Sequence, residues 1–217
     1  YRETVRRVSI EYPETQFALM NDRSIAQLNV SNIYFSESDS AFLAGVIAAM
    51  SSKRAVISLI SDSDQIREAF KRGASFSKKK VKIRYISYDG NQGRLIASVG
   101  RADIVYSTWD RDGSLVESLS SLAKPPWFIG RVPDQYFIEE DSPRVLAVIR
   151  KDIAKPISTL LRLGLQDRAL IDVIDEEEAI FGREYRVKNG GITVTDNGKL
   201  TAETRKVLEL ALRYLRK

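Results

Sequence analysis

The apolar positions fall into two periods, 3.6 and 2, that exchange repeatedly along the chain. Residues 1–11 keep helical spacing until Tyr12-Pro13 stops them. The apolar run Phe17-Ala18-Leu19-Met20, within Gln16 to Asn21, has the length of a buried strand, and Val30 to Phe35 predicts the next one. From Asn32 to Lys53 the pattern reads as strand, polar crossing and helix. Phe42, Leu43, Val46, Ile47 and Met50 share one face of that helix, while Ala44, Gly45, Ala48 and Ala49 keep the rest thin. A glycine inside a helix costs roughly 1 kcal/mol against alanine, so Gly45 predicts close backbone approach. Ser38, Asp39 and Ser40 are all N-cap types.

Beyond it the pattern predicts a strand over Ala55 to Ile60, a helix over 65–76, a strand over Val81 to Tyr88 and a short helix over 91–99. A buried strand over 103–107, a helix over Gly113 to Leu122, strands over Trp127 to Gly130 and Val145 to Ile149, and a helix over 152–164 follow. The tail predicts a helix over 167–180, a hairpin turning at Asn189-Gly190-Gly191, and a last helix with Val207, Leu208, Ala211, Tyr214 and Leu215 on one face. Alternating helices and uniformly apolar strands mean a parallel sheet covered on both faces.

In such sheets ligands bind beyond the carboxyl ends of the strands. Those ends carry Asn21-Asp22, Phe35 with Ser36-Glu37, Ser61-Asp62, Ser107-Thr108-Trp109-Asp110, Arg131, and Arg150-Lys151-Asp152. These small polar and charged groups, with one indole among them, suit hydrogen bonding to a polar small molecule. They place no nucleophile beside a base. The candidate ligand-binding residues are therefore Asn21, Phe35, Ser61, Asp62, Trp109, Asp110, Arg131 and Lys151.

Composition narrows the chemistry. The 217 residues include no histidine and no cysteine. A Ser-His-Asp triad, a Cys-His pair, a Cys or His zinc site and thiol redox chemistry are all excluded. No metal ion or other cofactor is expected. The carboxylate groupings Asp62 with Asp64, Glu139-Glu140-Asp141 and Asp175 to Glu178 read as helix starts and solvated faces rather than acid–base pairs. Net charge is +5, with one dense cluster, Lys78-Lys79-Lys80 with Lys82 and Arg84. That cluster leads into a strand, so it reads as a solvated turn and outer face rather than a nucleic-acid surface. No apolar run is long enough to span a membrane, and there is no signal peptide or lipidation motif. The opening residues read as the body of a helix, as if cut from a longer chain.

Several segments resemble the basic membrane protein family, the substrate-binding lipoproteins of bacterial nucleoside ABC transporters. They are Tyr12 to Met20, Asn32 to Lys53, Phe70 to Ala74, Ala102 to Tyr106, Gly130 to Gln135, Val145 to Lys151 and Asn189 to Ile192. Phe42-Leu43-Ala44-Gly45 followed by Ala48-Ala49-Met50-Ser51 is the most specific match. The resemblance implies a type I periplasmic-binding-protein fold: two parallel-sheet α/β lobes, a hinge, and a ligand in the cleft. It implies a first lobe of 1–36 plus 151–190 lacking its N-terminal strand–helix units, a second lobe of 37–150, and a C-terminal strand and helix over 191–217. It implies an extracytoplasmic, lipid-anchored protein working with an ABC permease on a nucleoside-like ligand. Phe35 and Trp109 stand where the family places ring-stacking groups, and would either clamp a planar base or pack as core and hinge.

Two family carboxylates are replaced, one by Asn21 and the ribose-contacting one by Val132, which accepts no hydrogen bond. The same departures resemble a subgroup, the Med-type proteins of bacilli, positive regulators of competence gene expression. Two readings therefore stand: a solute-binding protein for a polar, nucleoside-like molecule, and a regulatory or interaction protein of the same fold with no transport role. The resemblance implies no enzyme.

Overall fold

A computed structural model describes every residue except 110–112, 137, 139–142, 167, 169 and 171. The Glu139-Glu140-Asp141 grouping and Asp110 thus lie outside the described residues. The chain divides into two compact units: Tyr1–Ser36 with Asp152–Ile192, and Glu37–Lys151 with Thr193–Lys217.

The first unit holds α1 (Arg2–Glu11), β1 (Phe17–Met20), β2 (Val30–Phe35), α6 (Ala154–Gly164), β8 (Val173–Asp175) and β9 (Ile180–Tyr185). Its sheet order is β1-β2-β9-β8, parallel except for the β8–β9 pair. Asn32, fully buried on β2, joins three segments. Its amide donates to Ile25 O and Phe181 O, both at 2.8 Å, and its carbonyl accepts from Ile25 N–H at 3.3 Å. Gly182 lies so close that a Cβ there would sit 1.8 Å from Asn32 O. Asn32→Ala strands two buried backbone groups of Ile25 and the part-buried Phe181 O, and the expected cost is about 3 kcal/mol, read by urea denaturation. A loss below about 1 kcal/mol would mean that water replaces the amide.

The second unit holds α2 (Glu37–Ser51), β3 (Val56–Ile60), α3 (Asp64–Phe76), β4 (Lys82–Ile86), α4 (Gln92–Val99), β5 (Ile104–Ser107), α5 (Ser114–Ser120), β6 (Trp127–Val132) and β7 (Val145–Lys151). The C-terminal β10 (Ile192–Asp196) and α7 (Ala202–Arg216) complete it. The sheet order is β10-β7-β6-β5-β3-β4. The pairs from β4 through β7 are all parallel, as continuous apolar strands demand. One core cluster gathers Leu95 and Val99 of α4 and Leu115 and Leu119 of α5 with Ile60, Val105, Phe128 and Val148 from the strands.

Helix α2 is buried from Asp39 to Met50 on every side, which suits a helix with so little polar surface. It packs on α3 and α7. The ring of Phe42 meets Tyr214 at 5.7 Å and Phe76 at 5.6 Å. The expected close approach is present: a Cβ on Gly45 would lie 2.1 Å from Phe70 O, and one on Gly73 would lie 1.9 Å from Phe42 O. Asp103 closes the turn after α2, accepting from Lys53 N–H at 2.7 Å and Arg54 N–H at 2.9 Å. The turn thereby delivers the chain into β3.

Two local expectations are corrected. Of the helix expected over 167–180, residues 167, 169 and 171 lie outside the described residues, and 173–180 are instead β8 and the start of β9, paired antiparallel. Asp175 Oδ1 accepts the N–H groups of Glu177 and Glu178, each at 3.1 Å, so the acidic run makes a turn rather than a helical one. The Asn189-Gly190-Gly191 turn closes no hairpin, because β9 belongs to the four-stranded sheet and β10 to the six-stranded one. The pattern set residues 191–217 apart; β10 lies beside β7, and α7 packs on α2.

Candidate functional site

The carboxyl ends of β3, β5, β6 and β7 come out on one side of the second unit's sheet, since all four run parallel. After β3, Ser61 donates its N–H to Ile86 O at 3.0 Å, and its Oγ accepts from Ser63 N–H at 3.3 Å. Ser63 in turn caps α3, accepting from Ile66 N–H at 3.3 Å. Between them Asp62 is exposed and Ser61 buried.

After β5, Thr108 N–H bonds to Ile60 O at 2.9 Å, and Trp109 N–H bonds to Ser107 Oγ at 3.1 Å. This turn pushes the Trp109 indole outward, where it is 45% exposed. Its ring lies 5.9 Å from that of Tyr88, tilted by 57°. A tilted pair with so much open surface presents a face on which a planar ring can stack.

Beyond β6 the backbone folds back on itself. Gln135 N–H donates to Arg131 O at 2.7 Å, and Gln135 Oε1 accepts from Arg131 N–H at 2.9 Å. The fold-back carries Asp134 to the end of β7, where it meets Lys151. Four charges then alternate. Arg131 Nη2 lies 2.7 Å from Glu37 Oε2 and 2.8 Å from Asp134 Oδ2. Lys151 Nζ lies 2.6 Å from Glu37 Oε1 and 2.7 Å from Asp134 Oδ2. Each cation touches both carboxylates, and the group carries no net charge. Glu37 is the first residue of α2, where the helix dipole favours a carboxylate.

Tyr106 lies beneath, its ring centroid 6.0 Å from the Arg131 guanidinium carbon. Burial pushes its hydroxyl well above the ordinary tyrosine range, against the pull of the Arg131 charge. Burial also works against the Arg131 charge, but Tyr106, Glu37 and Asp134 outweigh it and raise the guanidinium above its usual range. The arrangement holds its cations occupied. It ties the ends of β6 and β7 to the first turn of α2.

Of the residues singled out from sequence, Arg131 and Lys151 meet in this one cluster. Ser61 and Asp62 follow β3, and Trp109 follows β5, on adjacent strands of the same sheet. Asn21 and Phe35 belong to the first unit, following β1 and ending β2. Asn21 has left-handed backbone (φ 59°), which asparagine tolerates, and donates its N–H to Ile33 O at 2.7 Å. Phe35 packs on Tyr185, ring centroids 5.6 Å apart. Glu37 was named among the strand-end groups but not as a candidate, and Asp134, Tyr106 and Tyr88 were not singled out. Asp134 stood inside the Gly130-to-Gln135 segment, three residues from Arg131, and Glu37 just past the end of β2, so both had a local signal, but the pairing of Glu37 with Arg131 and Lys151 spans too much sequence to read. Among the described residues no group of carboxylates is placed to hold a metal ion, and no helix is long and apolar enough to cross a membrane.

Solved structures share this fold at low identity. A transcriptional activator of the comK gene from Bacillus halodurans superposes with a TM-score of 0.75 at 16% identity, over 99% of this chain and 75% of that one. An ABC transporter solute-binding protein from Conexibacter woesei gives 0.66 at 14% identity, over 98% and 73%. One from Aeropyrum pernix gives 0.62 at 16%, over 98% and 66%. These likenesses establish the type I periplasmic-binding-protein fold. Curated protein sequences give no significant match. The model of the Bmp family, described as ABC transporter substrate-binding protein PnrA-like, matches residues 1–159. With most of its length accounted for by that model, the chain belongs to the Bmp family of PnrA-like ABC transporter substrate-binding proteins.

Proposed function

We propose that this protein binds a polar small molecule with a planar ring, of nucleoside type, for delivery to an ABC permease from an extracytoplasmic, lipid-anchored position. The observation that carries the reading is the half-exposed indole of Trp109 against Tyr88 at the strand ends, next to the polar turn of Ser61 and exposed Asp62. The aromatic pair stacks the ring, and Asp62 accepts from hydroxyls. Arg131 and Lys151 act at one remove, holding the strand ends in place through Glu37 and Asp134.

Thermal denaturation against a nucleoside panel tests this. A ligand at about 100 times its Kd should raise stability by about 2.7 kcal/mol. Trp109→Ala should weaken binding about ten-fold or more, since stacking on an aromatic is worth about 1–3 kcal/mol per base. The same substitution should leave the unliganded stability nearly unchanged. If no nucleoside shifts the transition, the ligand assignment fails.

A second reading has its own observation. The B. halodurans neighbour is a transcriptional activator, and Asn21 and Val132 stand where nucleoside binders of the family keep carboxylates. A regulatory protein of this fold needs no nucleoside. A gene neighbourhood without an ATPase and a permease, together with a silent nucleoside panel, favours it.

A further inference from the structure

The function proposed above makes no use of the basic surface at the far edge of the second unit's sheet. Strand β4 ends the sheet order and, among the described residues, pairs with β3 alone. Lys82 N–H donates to Ala55 O at 2.8 Å, and Ser61 N–H donates to Ile86 O at 3.0 Å. Even-numbered residues of β4 therefore turn their backbone groups toward β3, and Ile83 and Tyr85 turn theirs outward. Beside this edge lies a groove of about 600 Å³ lined by Lys71, Lys79, Lys80 and Lys82 with the apolar Ala74 and Ile83.

Charge there is one-sided. Residues 68–84 contain seven lysines and arginines and one carboxylate, Glu68, in a chain whose net charge is only +5. Glu68 is taken by Lys71 at 3.6 Å, Lys79 donates to Met50 O at 3.2 Å, and Arg84 donates to Ser98 O at 3.2 Å. Lys78, Lys80 and Lys82 are exposed and meet no carboxylate within ion-pair distance among the described residues.

Edge lysines ordinarily guard a sheet against pairing with another strand. That guard is selective: it repels basic strands and leaves a neutral one only partly opposed, but it attracts an acidic one. We propose that the β4 edge is a docking site for an acidic, extended peptide segment of a partner protein, which adds a strand to the sheet. The outward backbone groups of Ile83 and Tyr85 supply hydrogen bonds, the groove takes alternate apolar side chains, and Lys80 and Lys82 pair with carboxylates. The concave groove and the open backbone edge favour a peptide over a flat membrane. Tyr85, 43% exposed, also lines the groove. One ring among lysines, without a row of aromatics for successive bases or arginine forks for phosphates, favours a peptide over nucleic acid.

Fluorescence anisotropy with the intact chain tests this. The probe is a labelled alternating glutamate–valine peptide of about ten residues, long enough to span a strand. Saturable binding that weakens with salt is expected, and Lys80→Glu with Lys82→Glu should reduce it about ten-fold or more. The same peptide N-methylated at alternate residues keeps its charge, loses backbone donors and should bind far more weakly. Equal binding of the N-methylated peptide, no saturable binding at low salt, indifference to the charge reversal, or tighter binding to an oligonucleotide or to phosphatidylglycerol vesicles would each overturn the proposal. The nucleoside panel reads a different face, so either idea fails independently of the other.

Discussion

Lys151→Met is expected to lower the unfolding free energy by about 3 kcal/mol, at the lower end of the range for breaking a buried ion pair. The lysine side chain is 7% exposed and contacts both Glu37 and Asp134. Methionine keeps the apolar stem and removes the charge, so two carboxylates are left to share Arg131. Glu37 retains 35% exposure and Asp134 25%, and water will screen part of the imbalance. This is why the lower end applies. Adding Asp134→Asn restores one cation to one carboxylate, so the double variant should lose less than the two single losses added. Urea denaturation of the four proteins gives the coupling. Additive losses would mean that the charges are solvated independently and that the cluster does not tie the strand ends to α2.

That cluster marks where sequence reading stopped. Arg131 and Lys151 stood out because each ends an apolar strand, where parallel sheets place ligand groups, and here both meet carboxylates of the chain itself. Their shared partner Glu37 could not be paired with them, because it lies 94 residues from Arg131 and 114 from Lys151. No spacing rule reaches across three strand–helix units. The replacement at Val132 drew attention to a missing carboxylate, while Asp134 two residues on turned inward and was fully employed. Trp109 was legible as an aromatic in a strand-end loop. Tyr88 was not, since it closes a strand whose alternation already explained it.

The fold was legible where local pattern and burial agree. Uniformly apolar strands gave parallel pairing, and the small residues of α2 announced a helix buried all round. Legibility failed over the described residues 173–180 and at Asn189-Gly190-Gly191. There, side-chain turn bonds from Asp175 outweighed helix propensity, and the chain passed from one sheet to another at a turn that locally resembles a hairpin.

Gly45→Ala reverses the usual sign of its class of substitution. In an open helix the change gains up to about 1 kcal/mol. Here the new Cβ would stand 2.1 Å from Phe70 O and 2.9 Å from Ala74 N, both backbone atoms that no rotamer change can move. Helices α2 and α3 must separate, which loosens the contacts of Phe42 and Phe70 along the whole seam. The expected loss is about 3 kcal/mol or more, at the severe end of overpacking. Gly73→Ala should cost about as much, because its Cβ would stand 1.9 Å from Phe42 O. The two glycines face the same pair of helices, so one separation relieves both clashes. The double variant should therefore cost clearly less than the two losses added. Gly93, in α4 of the same unit, meets only the Asn91 side chain at 3.5 Å, and Gly93→Ala should stabilise by about 0.5 kcal/mol. Chemical denaturation of these variants checks the argument. A neutral or stabilising Gly45→Ala would show that α2 and α3 are not in backbone contact, and a fully additive double variant would show that each clash is relieved locally rather than by moving the helices apart.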